Sequence, residues 1–548
     1  MSKRDYSDWS KTELIREIKK LEKRKKYGIS WEEKPEEVAL LCKEKLPVLA
    51  EETQSEIKTD DTKPINILIE GDNYHALSVL NYTHKNKVDV IYIDPPYNTG
   101  IEGFRYNDKI VDKEDSYRHS KWLSFMNKRL ILAKNLLKET GVILISMDDN
   151  EIAQMKLLCD EIFGENNLIV NIIWKKRAGP PNDKIIGTIH EYILCYARNI
   201  KKIKLYLRKR TEKNLNRYNN PDNHPKGQWA PDNLMANVKG GRYVESLYYP
   251  IKNPNTGEEF WPSSNGNWRF NKEKVDELLK NDEIYFGKNG KGRPKLKRFL
   301  CDIKKGMPFP SIWEGVGYNN SATRELLNFF GSVNVFDTPK PTSLMKEILS
   351  LSTSEKGNEI VLDFFAGSGT TGQAVLELNS EDDGNRKFIL CTDNENNICT
   401  EVCYPRLEKV IRGYETPNNE HVDGLDGNLK YFKTEFVEAE PTDLNKKKLV
   451  DKSTEMLCLK EDCYDEVKKN SDFRVFKNPK GKYLGIIYDD DGIAGFKKEV
   501  KKIGKKFVVY VFSLDESARE EEFEDVGKLV SLKPIPAVIL NVYRRIFK

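Results

Sequence analysis

From Ile65 the chain alternates short apolar runs with longer stretches of helical period. Ile65–Ile69, Val88–Ile93 and Gly141–Ser146 are nearly continuous apolar segments of strand length, the pattern of strands covered on both faces. Between the last two, Trp122 to Leu137 repeats apolar residues every three or four positions and predicts a helix. Strand, helix, strand in this rhythm predicts parallel pairing through crossover helices. Glu191–Ala197 is a further strand candidate. The rhythm lapses between about 200 and 335, where Asn, Gly, Pro and Lys mix with aromatics (Trp229, Tyr243, Tyr248, Tyr249, Phe260, Trp261, Trp268, Phe270, Tyr285, Phe286). It resumes with a strand over Glu359–Asp363, a glycine-rich turn, a helix from Thr370 to about Leu378 and a strand over Lys387–Thr392. The expected fold class is α/β, a doubly wound, mostly parallel sheet interrupted by an insert.

The flanks read differently. Residues from about 8 to 27 predict a charged helix, with Ser10 able to cap it and Leu14, Ile18 and Leu21 at helical spacing; a docking arm and an ordinary surface helix suit it equally. Glu51 to Lys63 is polar, acidic and aperiodic, as a linker would be. Beyond 425, Tyr483–Tyr488, an amphipathic stretch near 492–503 and Phe507–Phe512 predict a small α/β appendage. The expected divisions are an N-terminal helical arm and linker (1–62), a first α/β half (63–200), an insert (201–335), a second α/β half (336–425) and a C-terminal α/β domain (426–548).

A chain of 548 residues suits about three or four structural units. Net charge is only +4, from 90 basic and 86 acidic residues, so distribution carries more than the total. Lys201–Arg210 and Lys288–Arg298 are locally basic, which fits either a phosphate-tracking surface or solvated faces. No apolar run approaches the roughly 20 residues that span a bilayer, and the charged N-terminus has no signal core. A cytoplasmic protein is expected, with no membrane contact. The nine cysteines are odd in number and scattered, so free thiols are expected. Cys399 and Cys403 lie one helical turn apart, but no second Cys/His pair stands at ligand spacing, and no metal is expected.

Two short sequences carry chemistry. The first is Asp94-Pro95-Pro96-Tyr97-Asn98, at the end of the Val88–Ile93 strand, where parallel sheets place their ligands. Two prolines stiffen the loop. It then offers a carboxylate, carbonyls and an aromatic ring to a planar heterocycle bearing an amino group. Asp94 and the Pro95 carbonyl can each accept one amine hydrogen, and Tyr97 can stack on a base drawn out of its duplex. The second is Asp363-Phe364-Phe365-Ala366-Gly367-Ser368-Gly369-Thr370, strand to glycine turn to helix, a nucleoside-binding corner. With Gly372 it also satisfies the dinucleotide fingerprint, and Asp393 follows at nearly the ribose-binding distance. An acid at Asp363 suits a methionine ammonium better than a pyrophosphate.

Taken together, the two sequences resemble the β-class amino-methyltransferases, in which the catalytic half precedes the cofactor half. Ile69-Glu-Gly-Asp72-Asn73, Ile145 through Glu151, His190-Glu191-Tyr192-Ile193 and Lys340-Pro341 look like the modification (Mod) subunits of type III restriction-modification systems. The resemblance covers roughly 65–200 and 335–415, plus Leu429–Thr434. It implies a catalytic loop at Asp94, Pro95, Pro96 and Tyr97. It implies S-adenosylmethionine as cofactor, with Asp363, Phe364, Phe365, Ala366, Gly367, Ser368, Gly369 and Thr370 about its methionine end, Asn98 close by, Asp72 near its adenosine and Lys340-Pro341 near its carboxylate. The ribose acid of many relatives falls at Thr392, so Asp393 or Glu395 would have to substitute. The resemblance further implies a double-stranded DNA substrate, adenine N6 as acceptor through base flipping, a homodimer and a helicase-nuclease restriction subunit as partner. N4-cytosine methylation, a non-catalytic DNA-binding specificity subunit and an RNA substrate are the competing readings.

Overall fold

The computed structural model describes residues 9–22, 28–100, 104–107, 109–182, 185–236, 244–263 and 266–547. Backbone contacts separate two compact units, residues 1–206 with 310–548, and residues 207–309.

Among the described residues of the larger unit, eleven strands form one sheet. In chain order they are β1 (Lys45–Glu51), β2 (Ile57–Lys58), β3 (Ile65–Glu70), β4 (Val88–Ile93), β5 (Leu137–Met147), β6 (Leu168–Lys175), β7 (His190–Ala197), β8 (Ile312–Trp313), β9 (Ile360–Asp363), β10 (Lys387–Thr392) and β11 (Asn428–Glu438). Across the sheet they run β1, β11, β3, β10, β9, β4, β5, β7, β6, β8, with β2 also on β11. Every pairing from β11 through β5 is parallel, whereas β7 lies antiparallel between β5 and β6. The parallel strands are apolar because both faces are covered, and Val90, Ile91, Ile93, Leu362 and Leu390 are fully buried.

The helices that position the site are α1 (Asn73–Thr83), α2 (Arg118–Leu136), α3 (Asn319–Phe330), α4 (Thr342–Ser352), α5 (Thr370–Asp382) and α6 (Tyr404–Arg412). On α2 the buried stripe is Trp122, Met126, Leu130 and Ala133, spaced by three or four residues as one helical face requires. After β4 the chain crosses to β5 on one side; after β9 it crosses to β10 on the other. β4 and β9 are therefore neighbours whose connections diverge, which opens a crevice at their C-terminal ends.

Three expectations need correction. The N-terminal stretch is more than arm and linker, since β1 and β2 are strands of the central sheet. Pro47 disguises β1, and its place at the sheet's margin is where proline is tolerated. The expected boundary at 425/426 falls before a strand of the same sheet, because β11 pairs in parallel with β3 over Asn428–Lys433. The smaller unit is shorter than the expected insert of 201–335, with β8 and α3 belonging to the larger unit. Beyond β11, Asp465–Lys469, Phe473–Lys477, Tyr483–Ile487, Phe507–Phe512 and Val530–Ile535 form a separate five-stranded sheet in that order.

The expected N-terminal helix is found over Lys11–Glu22; positions 8 and 23–27 lie outside the described residues, as does Tyr243. The smaller unit has its own core of Leu234, Ile251, Phe260, Trp268, Val275, Leu278, Ile284 and Phe286, so Phe260, Trp268 and Phe286 are structural. Lys297 of its basic run is buried against Asp222 at 2.6 Å and Asp282 at 2.8 Å, which removes it from any phosphate-facing surface. Trp261 is exposed and packs against Tyr248, with the rings tilted by 41° and 5.4 Å between centroids. The nine cysteines are free, and Cys301 alone is exposed. Among the described residues no cluster of three or more His, Cys, Asp and Glu could hold a metal, and no helix is long and apolar enough to cross a membrane.

A buried amide ties the parallel strands together. Asn66 of β3 donates from Nδ2 to the Asn428 carbonyl of β11 at 3.1 Å and accepts the Phe388 N–H of β10 at 2.9 Å through Oδ1. Removing it strands one donor and one acceptor away from water, each costing roughly 1–3 kcal/mol. Asn66→Ala should therefore lower unfolding free energy by about 2–4 kcal/mol, read as a lower urea midpoint at unchanged slope.

Candidate active site

Because β3, β10, β9, β4 and β5 are parallel and adjacent, their C-terminal ends form one row. Asp72 follows β3, Asp393 follows β10, Asp363 ends β9, and Asp94 follows β4. β7 runs the other way, so its beginning lies at this edge and Glu191 arrives beside the end of β5, with Tyr192 opposite Met147.

At the β4 end, Asp94 is held by two donors. Lys340 Nζ donates to Oδ2 at 2.6 Å, and the Tyr97 hydroxyl donates to Oδ1 at 2.7 Å. Both donors also reach Glu191 Oε2, Tyr97 at 3.3 Å and Lys340 at 3.7 Å. Lys176 Nζ holds the other Glu191 oxygen at 2.9 Å. Lys340 also lies 5.1 Å from the centroid of the Tyr97 ring. Burial works against the Lys340 charge, but Asp94 and Glu191 outweigh it and raise its pKa. Burial likewise opposes ionisation of Glu191, and Lys340 and Lys176 overcome it, lowering that pKa. Two ammoniums and two carboxylates thus form a nearly closed, charge-balanced cluster. The loop is fixed from beneath, where the fully buried Trp122 indole donates to the Pro96 carbonyl at 2.7 Å.

At the β9 end, the environment is charge-poor. Asp363 is buried and accepts the Phe365 N–H at 3.0 Å and the Thr371 hydroxyl at 2.6 Å. Burial pushes its carboxyl up to about 7, and Asp94 adds to the rise. Gly367 and Gly369 have φ of 50° and 80°, left-handed values that favour glycine. A Cβ on Gly367 would come within 2.8 Å of the Phe336 ring.

The expected site residues divide into two groups. Asp94, Pro95, Tyr97, Lys340, Asp363, Phe365, Ala366, Gly367 and Gly369 gather where β4 meets β9. Several others have side chains committed elsewhere. The hydroxyls of Ser368 and Thr370 accept from the buried Arg406 guanidinium at 3.0 and 2.9 Å, and Arg406 also reaches Thr342 at 3.2 Å and Glu325 at 3.3 Å. Phe364 is a core side chain. Pro341 is buried and caps α4, its carbonyl accepting the Leu344 N–H at 3.0 Å. Asn98 is buried with φ 56° and donates to Glu151 at 2.5 Å. Asp72 caps α1 through Tyr74 N–H at 2.7 Å and pairs with the buried Arg129 at 3.3 Å. Asp393 is open to solvent between Asp72 and Asp363 in the row, yet surrounding protein, Glu395 and Asp72 raise its carboxyl. Thr392 is buried and its carbonyl accepts the Gly71 N–H at 2.9 Å.

Sequence reasoning did not assign Glu191, Lys176, Trp122 or Arg406 a role. A usable signal existed for Glu191, an acid heading an otherwise apolar strand. The others lack one, since a lysine at a strand end and an arginine on an amphipathic helix are ordinary surface residues by pattern.

The profile of the DNA methylase family matches residues 88–403. The type III restriction-modification enzyme StyLTI Mod subunit of Salmonella typhimurium is 38% identical over 379 residues, covering 63% of this chain and 56% of that one. The EcoPI Mod subunit of Escherichia phage P1 is 33% identical over 441 residues, covering 70% and 66%. The matched region thus spans between a half and two thirds of these Mod subunits. The type II methyltransferase M.KpnI of Klebsiella pneumoniae is 33% identical over 389 residues, covering 67% of this chain and 90% of its own length. A profile that begins at β4 and runs past the glycine turn, together with a relative matched over nine tenths of its length, establishes that this chain belongs to the N6/N4 DNA methylase family.

Proposed function

We propose that this chain is the modification subunit of a restriction-modification system, a cytoplasmic DNA methyltransferase that transfers a methyl group from S-adenosylmethionine to adenine N6 at a specific duplex sequence. It acts as a homodimer and associates with a helicase-nuclease restriction subunit. The observation that carries this reading is the adjacency of Asp94 and Asp363 at the ends of neighbouring strands β4 and β9. The identity to Mod subunits favours adenine over cytosine.

The residues present fit the cofactor. Asp363 is a buried carboxylate whose bonds come from a neutral N–H and a neutral hydroxyl, so an ammonium supplies the countercharge it lacks. Gly367 allows the turn to approach closely, since a Cβ there would collide with the Phe336 ring. Asp363, Phe365, Ala366, Gly367 and Gly369 hold the methionine end, and Asp72 and Asp393 lie toward the adenosine. The cofactor supplies a methyl carbon already activated on a sulfonium.

The chain's own residues then act by positioning. Asp94 accepts an N–H of the extruded base and turns the nitrogen lone pair toward the glycine corner. The Pro95 carbonyl takes the second hydrogen. Tyr97 offers its ring face to the base, and Trp122 keeps the loop from yielding. The basic and aromatic surface of the 207–309 unit, with Trp261 and Tyr248, grips phosphates and reads bases.

Incubation with genomic DNA followed by nucleoside mass spectrometry tests the assignment. The expected product is 6-methyladenine; 4-methylcytosine in its place would overturn the acceptor. Asp94→Ala should abolish methyl transfer while cofactor affinity stays within about tenfold, since orientation of the base and binding of the cofactor rest on different strands. Cofactor affinity should also depend on pH. With its pKa raised to about 7, Asp363 is anionic above that value and neutral below it. Calorimetric titration should therefore show full affinity near pH 8 and a decline of up to about tenfold per unit below pH 7. Asp363→Asn should bind weakly at every pH, and a wild-type profile flat from pH 5.5 to 8.5 would remove Asp363 from the ammonium site.

A further inference from the structure

Both oxygens of Asp94 are occupied before any base arrives, one by Lys340 and one by Tyr97. Each oxygen keeps a second acceptor site, but an arriving amine meets a carboxylate already engaged by two strong donors, and its own bond to Asp94 strengthens when one of them withdraws. A buried ammonium withdrawing to nothing would be left unpaired, which is prohibitive in such surroundings. The same two donors share a second acceptor within reach, Glu191 Oε2, at 3.7 and 3.3 Å. The two carboxylates differ in access, for the Asp94 side chain is 22% exposed and that of Glu191 only 7%. The base reaches Asp94, while Glu191 stays behind it. Lys176 at 2.9 Å prevents Glu191 from following its donors toward solvent.

We propose that Glu191 is a positioning residue that takes over the Lys340 ammonium and the Tyr97 hydroxyl when the target amine engages Asp94. The hand-over rests on the function proposed above and deepens it. No covalent bond changes, and each charge stays paired throughout: Lys340 trades one carboxylate for another, Asp94 trades an ammonium for an amine hydrogen, and Tyr97 swings with its ring free to lie on the base. Glu191 is suited to this because Lys340 and Lys176 keep it ionised despite its burial. Glutamine there could still accept from Tyr97, but it offers the ammonium no charge, so Lys340 stays on Asp94.

The binding readout itself needs no cofactor and no turnover. The probe is a duplex containing the methylated site, located by sequencing that reports modified bases. It is compared with the same duplex carrying purine, which lacks the 6-amino group, at the target position. In both duplexes the target faces an abasic site, so that no base pair is broken when it leaves the stack, and the difference in fluorescence anisotropy then reads the amine contact. Wild-type protein should prefer adenine by about tenfold, the worth of one hydrogen bond to a charged group. Glu191→Gln should bring the preference to about twofold or less, with cofactor affinity unchanged as evidence of a folded corner. Lys340→Met, which removes the competitor for Asp94, should raise the preference above wild type, and adding it to Glu191→Gln should restore the preference that variant lost. This second variant keeps the test decisive should Glu191→Gln fold poorly. A Glu191→Gln protein that discriminates like wild type, or a Lys340→Met protein that discriminates less, would overturn the hand-over. If either accompanies normal 6-methyladenine formation by the wild type, the proposed activity stands and only the role of Glu191 falls.

Discussion

The contact on which the site depends is the buried ion pair between Lys340 and Asp94, 2.6 Å long and bridging 246 residues of sequence. The nearly buried Lys340 ammonium needs a carboxylate to stay charged at this depth, whereas Asp94 is partly open to solvent. Asp94 is delivered by β4 and Lys340 by the segment entering α4, on either side of the chain that forms the 207–309 unit. The parallel pairing of β4 with β9 brings the two segments of the larger unit to one edge; the ion pair then closes that edge. Glu191 and Lys176 complete the charge balance around the half-buried Asp94 carboxylate.

The other half of the crevice solves a different problem. Around the glycine turn, the side chains that might have faced a ligand are turned inward. Ser368 and Thr370 bind Arg406, and Phe364 fills the core. What the turn presents is backbone, held by a guanidinium that binds the turn, α4 and α3 together through Thr342 and Glu325. Recognition by backbone needs exactness of main-chain position more than side-chain variety, and a buried five-donor group is an effective way to obtain it. In the proposed reading Arg406 serves the site through the turn it holds, with no contact of its own to the cofactor.

Much of the sheet was legible because strands buried on both faces leave an unmistakable apolar run. β3, β4, β9 and β10 lie where Ile65–Ile69, Val88–Ile93, Glu359–Asp363 and Lys387–Thr392 predict them. β1, β6 and β11 escaped for identifiable reasons. Pro47 interrupts the first, and polar residues are interspersed through Leu168–Lys175 and Asn428–Glu438, where strands away from the middle of the sheet are less completely covered. Direction was the subtler loss. The segment Glu191–Ala197 reads as a strand from its pattern, but nothing in that pattern says it runs antiparallel to β5. Only the reversal places Glu191, rather than Ala197, beside Asp94. Asn98 and Asp72 each sit in a motif that suggests ligand contact, and the pattern did not show that the Asn98 amide bonds the Glu151 carboxylate or that Asp72 caps α1.

Asp94 and Asp363 stand on adjacent strands and share a residue type, yet their surroundings differ in the way that the two tasks proposed for them require. Asp94 has an ammonium at bonding distance and partial access to solvent, so it can exchange one donor for another at little cost. Asp363 has neutral donors, no access and a like charge nearby, so it gains most from a ligand that arrives already cationic. Environment, rather than residue identity, separates an orienting carboxylate from a binding one. The separation also explains why the charge-rich cluster must be confined to the β4 side. A lysine placed beside Asp363 would satisfy it permanently and remove the incentive for a ligand ammonium to bind, whereas a lysine beside Asp94, with Glu191 behind it, leaves that carboxylate available on demand.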